Sequence, residues 1–143
     1  MARTDEAAAW FHAVYSAVQE IPRGRVTSYS HIATLLGRPQ CPRQVGVCLK
    51  HLPSATGDAN ENFNSDNVPW QRVINAKGRI SPRGPSGATS QAAALRREGV
   101  EVGRGGLGEF TVDFATYGWF PEELPSQLGE EGGNDSDSEG VDA

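Results

Sequence analysis

Apolar side chains in the first segment of the chain recur at the three- and four-residue spacing of one helix face. They are Trp10, Phe11, Val14, Ala17 and Val18. This spacing predicts an amphipathic helix over residues 4–19, with Asp5 and Glu6 at the positive end of its dipole. Pro22 then ends the element.

Two shorter helical patterns follow, over residues 27–37 and 43–50, and a tight turn joins them. Thr27 or Ser28 can cap the first helix, and Gly37 is the residue type that ends one. The pair predicts a helix-turn-helix, a unit that many DNA-binding proteins use. Many other helical proteins contain such pairs, so the pattern alone does not define a function.

The second half of the chain predicts short strands around one helix. Val68–Ile74 is strand-like, Ile80 starts a returning strand, and residues 91–98 form a helix. Edge strands are expected at 100–102 and 109–114. The segment Tyr117–Pro121 is expected to fold back onto the core.

Charge and composition divide the chain into a basic body and an acidic tail. Residues 122–143 carry eight acidic residues and no lysine or arginine, whereas residues 1–121 hold 13 basic against 10 acidic residues. We predict one domain over 1–121, with a loop insertion at 54–67, and a disordered tail over 122–143. Two cysteines and no apolar run of membrane length favour an intracellular protein with reduced thiols.

Short motifs occur in a set order between residues 21 and 102. They read Ile-Pro-x-Gly, Thr-Ser-Tyr, Arg-x-Val-Gly, Pro-Trp-x-Arg-Val-Ile, then a Gly-rich loop and a helix ending in Glu-Gly. The ordered set resembles the O6-alkylguanine-DNA alkyltransferases. That family places a reactive cysteine and a histidine where this chain has Trp70 and Gln71.

These two replacements remove the chemistry of the site. An indole has no nucleophilic atom at neutral pH, and a carboxamide takes up no proton, unlike a thiolate beside a histidine. The chain therefore resembles the alkyltransferase-like proteins, which bind alkylated guanine in DNA without repairing it.

The resemblance implies a fold that is mostly α with small β elements. This would be a winged helix-turn-helix-like DNA-binding domain of the alkyltransferase C-terminal type. The implied function is to bind O6-alkylguanine in double-stranded DNA by flipping the base into a pocket, and to channel it to nucleotide excision repair proteins. We expect a monomer located in the nucleus, without cofactor, metal or membrane contact.

The resemblance also implies which residues touch DNA. Arg43 fills the gap left by the extruded nucleotide, and Tyr29 crowds the neighbouring phosphate and helps to rotate the base outward. Gly46 keeps the second helix thin, so that it approaches the minor groove closely. The full implied set is Thr27, Tyr29, Arg43, Gln44 and Gly46.

The implied lesion pocket is formed by Pro69, Trp70, Val73, Arg83 and Gly84. Trp70 forms part of its wall, and backbone carbonyls near Trp70 and Val73 recognise the guanine edge. Arg83 lies over the flipped base, where a cation on the π face contributes about 0.5–2 kcal/mol.

Two further residues are interpreted as structural. We expect Arg72 to form an ion pair that holds the strand rather than to contact DNA. Glu98 matches the acid that orients the histidine of the active enzymes, and with Gln71 in place this relay has no proton carrier. The sequence departs from the family in its longer loop at 54–67 and in Leu52, which replaces a hinge asparagine.

Two alternatives stay open at the level of sequence. The protein could be an alkyl acceptor that uses Cys41 or Cys48 in place of the missing nucleophile. It could also be a sequence-specific regulator that uses the helix-turn-helix and is indifferent to alkylation.

Overall fold

The computed structural model describes residues 5–53, 63–81 and 87–127. The predicted class, mostly helical with small β elements, is confirmed. In chain order the elements are α1 (Asp5–Gln19), β1 (Thr27–Ser28), α2 (Tyr29–Leu35), α3 (Pro42–Lys50), a 3-10 turn (Trp70–Arg72), β2 (Val73–Ile74), α4 (Gly87–Arg97), β3 (Gly103–Arg104), β4 (Phe110–Thr111) and α5 (Phe114–Tyr117). None of the helices in these ranges has the length and apolarity that crossing a bilayer requires.

Helices α1, α2 and α3 pack around one core, which confirms the predicted helix-turn-helix. The Ser28 hydroxyl caps α2 by accepting a hydrogen bond from the His31 N–H at 3.0 Å. Gly37 follows α2 with a φ of 79°, a left-handed conformation that glycine adopts without strain. Pro42 opens α3, where its missing N–H leaves no helical bond unmade. The buried face of α3 consists of Val45, Cys48 and Leu49.

A small parallel sheet joins the helix-turn-helix to the second half of the chain. Strand β1 pairs with β2 in a register that sets Thr27 against Val73 and Ser28 against Ile74. Side chains alternate across a strand, so Val73 packs in the core of α1 to α3, and Ile74 packs in a second core with Leu95 of α4. The sheet therefore lies between the two cores.

The predicted strand over Val68–Ile74 is wrong in its first part. Residues Trp70–Arg72 form a 3-10 turn, in which the Arg72 N–H bonds the Pro69 carbonyl at 3.0 Å. Pro69 has no N–H to contribute to a ladder, and the side chains of Gln71 and Arg72 are bound to a distant carboxylate, as described below. Strand pairing begins only at Val73.

Of the two predicted edge strands, the one at 109–114 is confirmed in place by β4, and the one at 100–102 is displaced to β3. β3 and β4 form an antiparallel hairpin with Gly103 opposite Thr111. Val100 and Val102, predicted as strand, are instead buried in the second core. The Ile80 N–H bonds the Phe110 carbonyl at 3.0 Å, so this segment joins the hairpin and does not return to β2.

The C-terminal segment folds back onto the body as predicted. The Trp119 N–H bonds the Val26 carbonyl at 2.8 Å, beside a bridge between Val26 and Gly118. Beyond the predicted boundary at residue 121, Leu124 is 5% exposed and belongs to the first core. Ser126 donates its N–H and its hydroxyl to the Glu20 carboxylate at 2.9 and 2.7 Å. The folded body therefore extends at least to residue 127.

Candidate nucleic-acid interface

The outer face of α3 carries exposed polar side chains. Arg43, Gln44 and Lys50 are exposed, and Val47 keeps 42% of its surface. Among the residues that the structure describes, no hydrogen bond or ion pair engages the Arg43 guanidinium. This face is available to an outside partner.

A cleft of about 290 Å³, here named the α3 cleft, opens between this face and α2. Its walls include Tyr29 at the start of α2 and Ser81, which precedes the undescribed residues 82–86. Three of the predicted DNA-contacting residues meet there: Tyr29, Arg43 and Gly46. Val47 and Lys50 were missed by sequence reasoning, although their spacing from Arg43 places them on the same helix face.

Gly46 is not required by the packing inside the protein. A Cβ at this position would meet the Tyr29 ring at 3.8 Å, which is ordinary van der Waals contact. Gly46 has no left-handed φ, so the helix backbone does not demand glycine either.

The remaining predicted DNA contacts lie elsewhere. Gln44 lines a different cleft of about 310 Å³, together with Trp10 and Arg38. Thr27 is fully buried in β1, with its hydroxyl enclosed and unpaired among the described residues. The β1–β2 pairing encloses the Thr27 side chain in the free protein, and the assignment of Thr27 as a DNA contact stays a prediction.

Three of the five residues of the predicted lesion pocket lie in the described part of the chain. Pro69 and Trp70 are half-buried, and Trp70 packs against the first core. Val73 is fully buried, and its carbonyl accepts a hydrogen bond from Gln91 at 3.0 Å. This bond uses one of the two lone pairs of the carbonyl, and the role of Val73 in recognising the guanine edge stays a prediction. Arg83 and Gly84 lie outside the described residues.

Glu98 gathers hydrogen bonds from three parts of the chain. Its carboxylate accepts from the Gln71 amide at 2.7 Å, from Arg72 Nε at 3.0 and 3.1 Å, and from the Gly24 N–H at 3.0 Å. Arg72 also donates to the Ile21 carbonyl at 2.7 Å. With side chains 14% and 5% exposed, the Arg72–Glu98 ion pair is structural, as the sequence predicted.

The environment of Glu98 favours its ionised form. Burial raises the pKa of this carboxyl, but the hydrogen bonds from Arg72, Gly24 and Gln71, aided by the Arg72 charge, outweigh it. The pKa of Glu98 therefore lies below its ordinary value. A carboxylate held in this way orients Gln71 but has no proton carrier beside it.

Comparison with known proteins identifies the family. The model of the 6-O-methylguanine DNA methyltransferase DNA-binding domain matches residues 9–100. Alkyltransferase-like protein 1 of Schizosaccharomyces pombe is 42% identical over 120 residues, which cover 83% of this chain and 99% of that protein. The chain belongs to the alkyltransferase-like proteins. A DNA base-flipping protein of Escherichia coli is 39% identical over 106 residues, covering 74% of this chain and 70% of that protein.

Solved structures agree with this alkyltransferase-like assignment. Atl1 of S. pombe, in complex with damaged DNA containing O6-carboxymethylguanine, superposes with a TM-score of 0.66 at 40% identity. The match covers 84% of this chain and all of that one. The O6-methylguanine methyltransferase of Mycobacterium tuberculosis matches with a TM-score of 0.52 at 31% identity, over 68% of this chain and 50% of that chain. The predicted alkyltransferase-type DNA-binding fold is confirmed.

The two cysteines of this alkyltransferase-like protein lie in different surroundings. Cys48 is 1% exposed in the first core. Cys41 is half-buried and lines the cleft of Gln44 and Arg38. Neither lines the α3 cleft.

Proposed function

We propose that this protein recognises damage in DNA: it binds duplex DNA that carries an O6-alkylguanine, flips the base out, and retains it without transferring the alkyl group. The observation that carries the proposal is the α3 cleft, which brings Tyr29, Arg43 and Gly46 together on the exposed face of the helix-turn-helix. The name of the E. coli relative, a DNA base-flipping protein, supports base flipping, and the S. pombe structure in complex with damaged DNA supports binding to a lesion.

Arg43 has the properties that base extrusion requires. Unstacking and unpairing a base costs a few kcal/mol, so something must occupy the gap. A guanidinium is planar, stacks on bases and donates hydrogen bonds to the orphaned partner. Arg43 is exposed at the outer end of the α3 cleft and unengaged by the described residues, so no internal contact needs to break before it inserts.

The net charge near the cleft favours DNA. From Arg23 to Arg104 the chain holds 12 basic against five acidic residues, a net of +7, although the whole chain carries −5. This positive segment includes both α3 and residues 70–74, here named the site segment. Phosphate attraction of this kind is independent of sequence and falls with salt.

We propose that alkyl transfer does not occur at this site. Trp70 lacks a nucleophilic atom, and the Gln71 amide donates a hydrogen bond to the Glu98 carboxylate at 2.7 Å. No residue in this relay takes up a proton from a nucleophile.

Binding to matched duplexes tests the central claim. Titrations with and without a single O6-methylguanine, at a stated salt concentration, are expected to show tighter binding to the lesion. Fluorescence of 2-aminopurine placed beside the lesion is expected to rise as the base leaves the stack. Equal affinity for both duplexes, with preference for a sequence, would instead support a helix-turn-helix regulator.

Two variants within the α3 cleft separate base insertion from phosphate attraction. Arg43→Ala is expected to weaken lesion binding by about 10- to 100-fold, because both stacking and hydrogen bonds are lost. Lys50→Ala removes the same charge from the same cleft and is the matched control, with a smaller loss on both duplexes. Equal losses would reduce Arg43 to a phosphate contact.

Mass spectrometry tests the enzymatic alternative. After incubation with an O6-methylguanine oligonucleotide, we expect the unmodified protein mass. A methyl adduct on Cys41 or Cys48 would show that the protein is an acceptor and would overturn the sensor function.

We further propose that the retained complex is handed to nucleotide excision repair in the nucleus, because a sensor without turnover needs another system to remove the lesion. Excision of a lesion-bearing duplex by a reconstituted nucleotide excision system is expected to rise when this protein is added. Excision that stays the same or falls would remove this part of the proposal.

A further inference from the structure

Gln91 is a polar side chain buried in α4. It is 1% exposed, yet its amide group donates hydrogen bonds to two carbonyls of the site segment. Gln91 Nε2 lies 3.0 Å from the Gln71 carbonyl and 3.0 Å from the Val73 carbonyl. One amide group therefore spans the end of the 3-10 turn and the start of β2, directly after Trp70.

Gln91 acts together with Glu98. The two residues are seven positions apart along α4 and its end, about two helical turns, so they lie on the same side of the helix. Glu98 binds the side chains of Gln71 and Arg72, while Gln91 binds the backbone on either side of Arg72. The helix thus fixes both the direction of the segment and the orientation of its side chains.

The Gln91 amide group is only partly paired. Its Oε1 atom is buried and has no hydrogen-bond partner among the described residues. An apolar side chain would remove this unpaired acceptor but would leave the Gln71 and Val73 carbonyls without their donor. What leucine cannot provide is the pair of N–H donors to the two carbonyls.

We propose that Gln91 is a positioning residue of the lesion pocket: by holding the carbonyls of Gln71 and Val73, it fixes the backbone that presents Trp70 to the flipped base. The inference rests on the proposed function, because it assigns to Gln91 the shape of that same pocket. The ligand remains the O6-alkylguanine base, and Gln91 acts on it through the backbone.

Two variants test the role. Gln91→Leu removes both donors together with the unpaired acceptor, and Gln91→Met does the same with an unbranched side chain of similar length. Gln127→Leu, at an exposed glutamine outside the site, is the matched control. Both Gln91 variants are expected to lower the ratio of lesion to unmodified-duplex affinity by about tenfold, while Gln127→Leu leaves it unchanged.

Hydrogen exchange in the free protein supplies a readout that does not depend on lesion binding. Amides of residues 70–74 are expected to exchange about tenfold faster in Gln91→Leu, beyond any change in the α1 amides, which report the loss of global stability caused by the two unpaired carbonyls. If the wild type does not discriminate lesions but this exchange rises, the proposed function fails, and Gln91 still holds the backbone of residues 70–74.

Other outcomes overturn the positioning role. If the wild type discriminates lesions and a folded Gln91 variant keeps the same affinity ratio, the hydrogen bonds of Gln91 do not shape the pocket. Unchanged exchange at residues 70–74 shows that the hydrogen bonds of Gln91 do not hold the site segment. Loss of the fold in both variants makes Gln91 a stability residue only.

Discussion

Gly46 is an interior residue of α3, where glycine is less favourable than alanine by about 1 kcal/mol. Neither its φ nor the 3.8 Å approach to the Tyr29 ring requires it. We predict that Gly46→Ala raises the free energy of unfolding by up to about 1 kcal/mol and weakens DNA binding, since the added methyl group projects into the α3 cleft. Urea denaturation and duplex titration measure the two effects. Unchanged DNA affinity would remove the argument that Gly46 allows close approach.

Trp70 and Gln71 together determine whether the site could regain chemistry. We predict that Trp70→Cys alone transfers no methyl group efficiently, because Gln71 has no proton-accepting nitrogen. The double variant Trp70→Cys with Gln71→His supplies both groups beside Glu98 and is the comparison. Mass spectrometry after incubation with an O6-methylguanine oligonucleotide reads the adduct. Efficient transfer by the single variant would show that the relay is not needed.

Helix α4 ends next to the Glu98 carboxylate, which accepts hydrogen bonds from Gly24, Gln71 and Arg72. The contribution of these bonds to stability depends on pH. The pKa of Glu98 is lowered in the folded protein, so its contribution to stability is present above the unfolded pKa and is lost as pH falls through the folded one. We predict that Glu98→Gln lowers the free energy of unfolding at pH 7 by about 1–3 kcal/mol.

Urea denaturation of both proteins from neutral to acid pH measures this effect. The difference between them is expected to shrink as the pH falls through the ordinary range of a glutamate and below it. A difference that stays constant with pH would mean that the charge of Glu98 does not support the fold.

The elements that sequence predicts well are those fixed by local patterns. The helices follow apolar spacing and capping, as Ser28 and Gly37 show. The strand at Val68–Ile74 was predicted too long because Gln71 is held by Glu98, 27 residues away. The hydrogen bonds of Gln91 were missed for the same reason. A side chain that bonds backbone carbonyls 18 and 20 residues away leaves no periodic signal in the sequence.

Site residues followed a similar division. The ordered motifs placed Tyr29, Arg43 and Gly46, and the structure brings these three together. The motifs did not reveal that Thr27 is buried, because burial depends on the β1–β2 pairing across 46 positions. Contacts between residues distant in the sequence therefore determine which site residues are buried, and local sequence patterns do not predict this.

At the scale of the whole molecule, charge is unevenly distributed. Residues 128–143 carry six acidic residues and no basic one, so truncation after residue 127 changes the formal charge from −5 to +1. We predict that this truncation raises affinity for unmodified DNA at about 50 mM salt, with a smaller effect at about 200 mM, because phosphate attraction is screened.

A second truncation is the control. Ending the chain after Pro121 also removes Leu124 from the first core and Ser126 from Glu20, so it is expected to lower the melting temperature. The cut after residue 127 leaves both contacts intact and should not. Equal DNA affinities of the full chain and the shorter truncation at low salt would show that the acidic segment does not oppose binding.

The parallel pairing of β1 with β2 has a kinetic consequence. It joins the start of α2 directly to the site segment, with Ser28 opposite Ile74 and cores packed on both sides. The start of α2 and residues 73–74 are therefore expected to move together. Because this frame does not need to rearrange, the rate of capture should depend on how easily a guanine leaves its stack, and mismatched or weakly paired guanines should be trapped soonest.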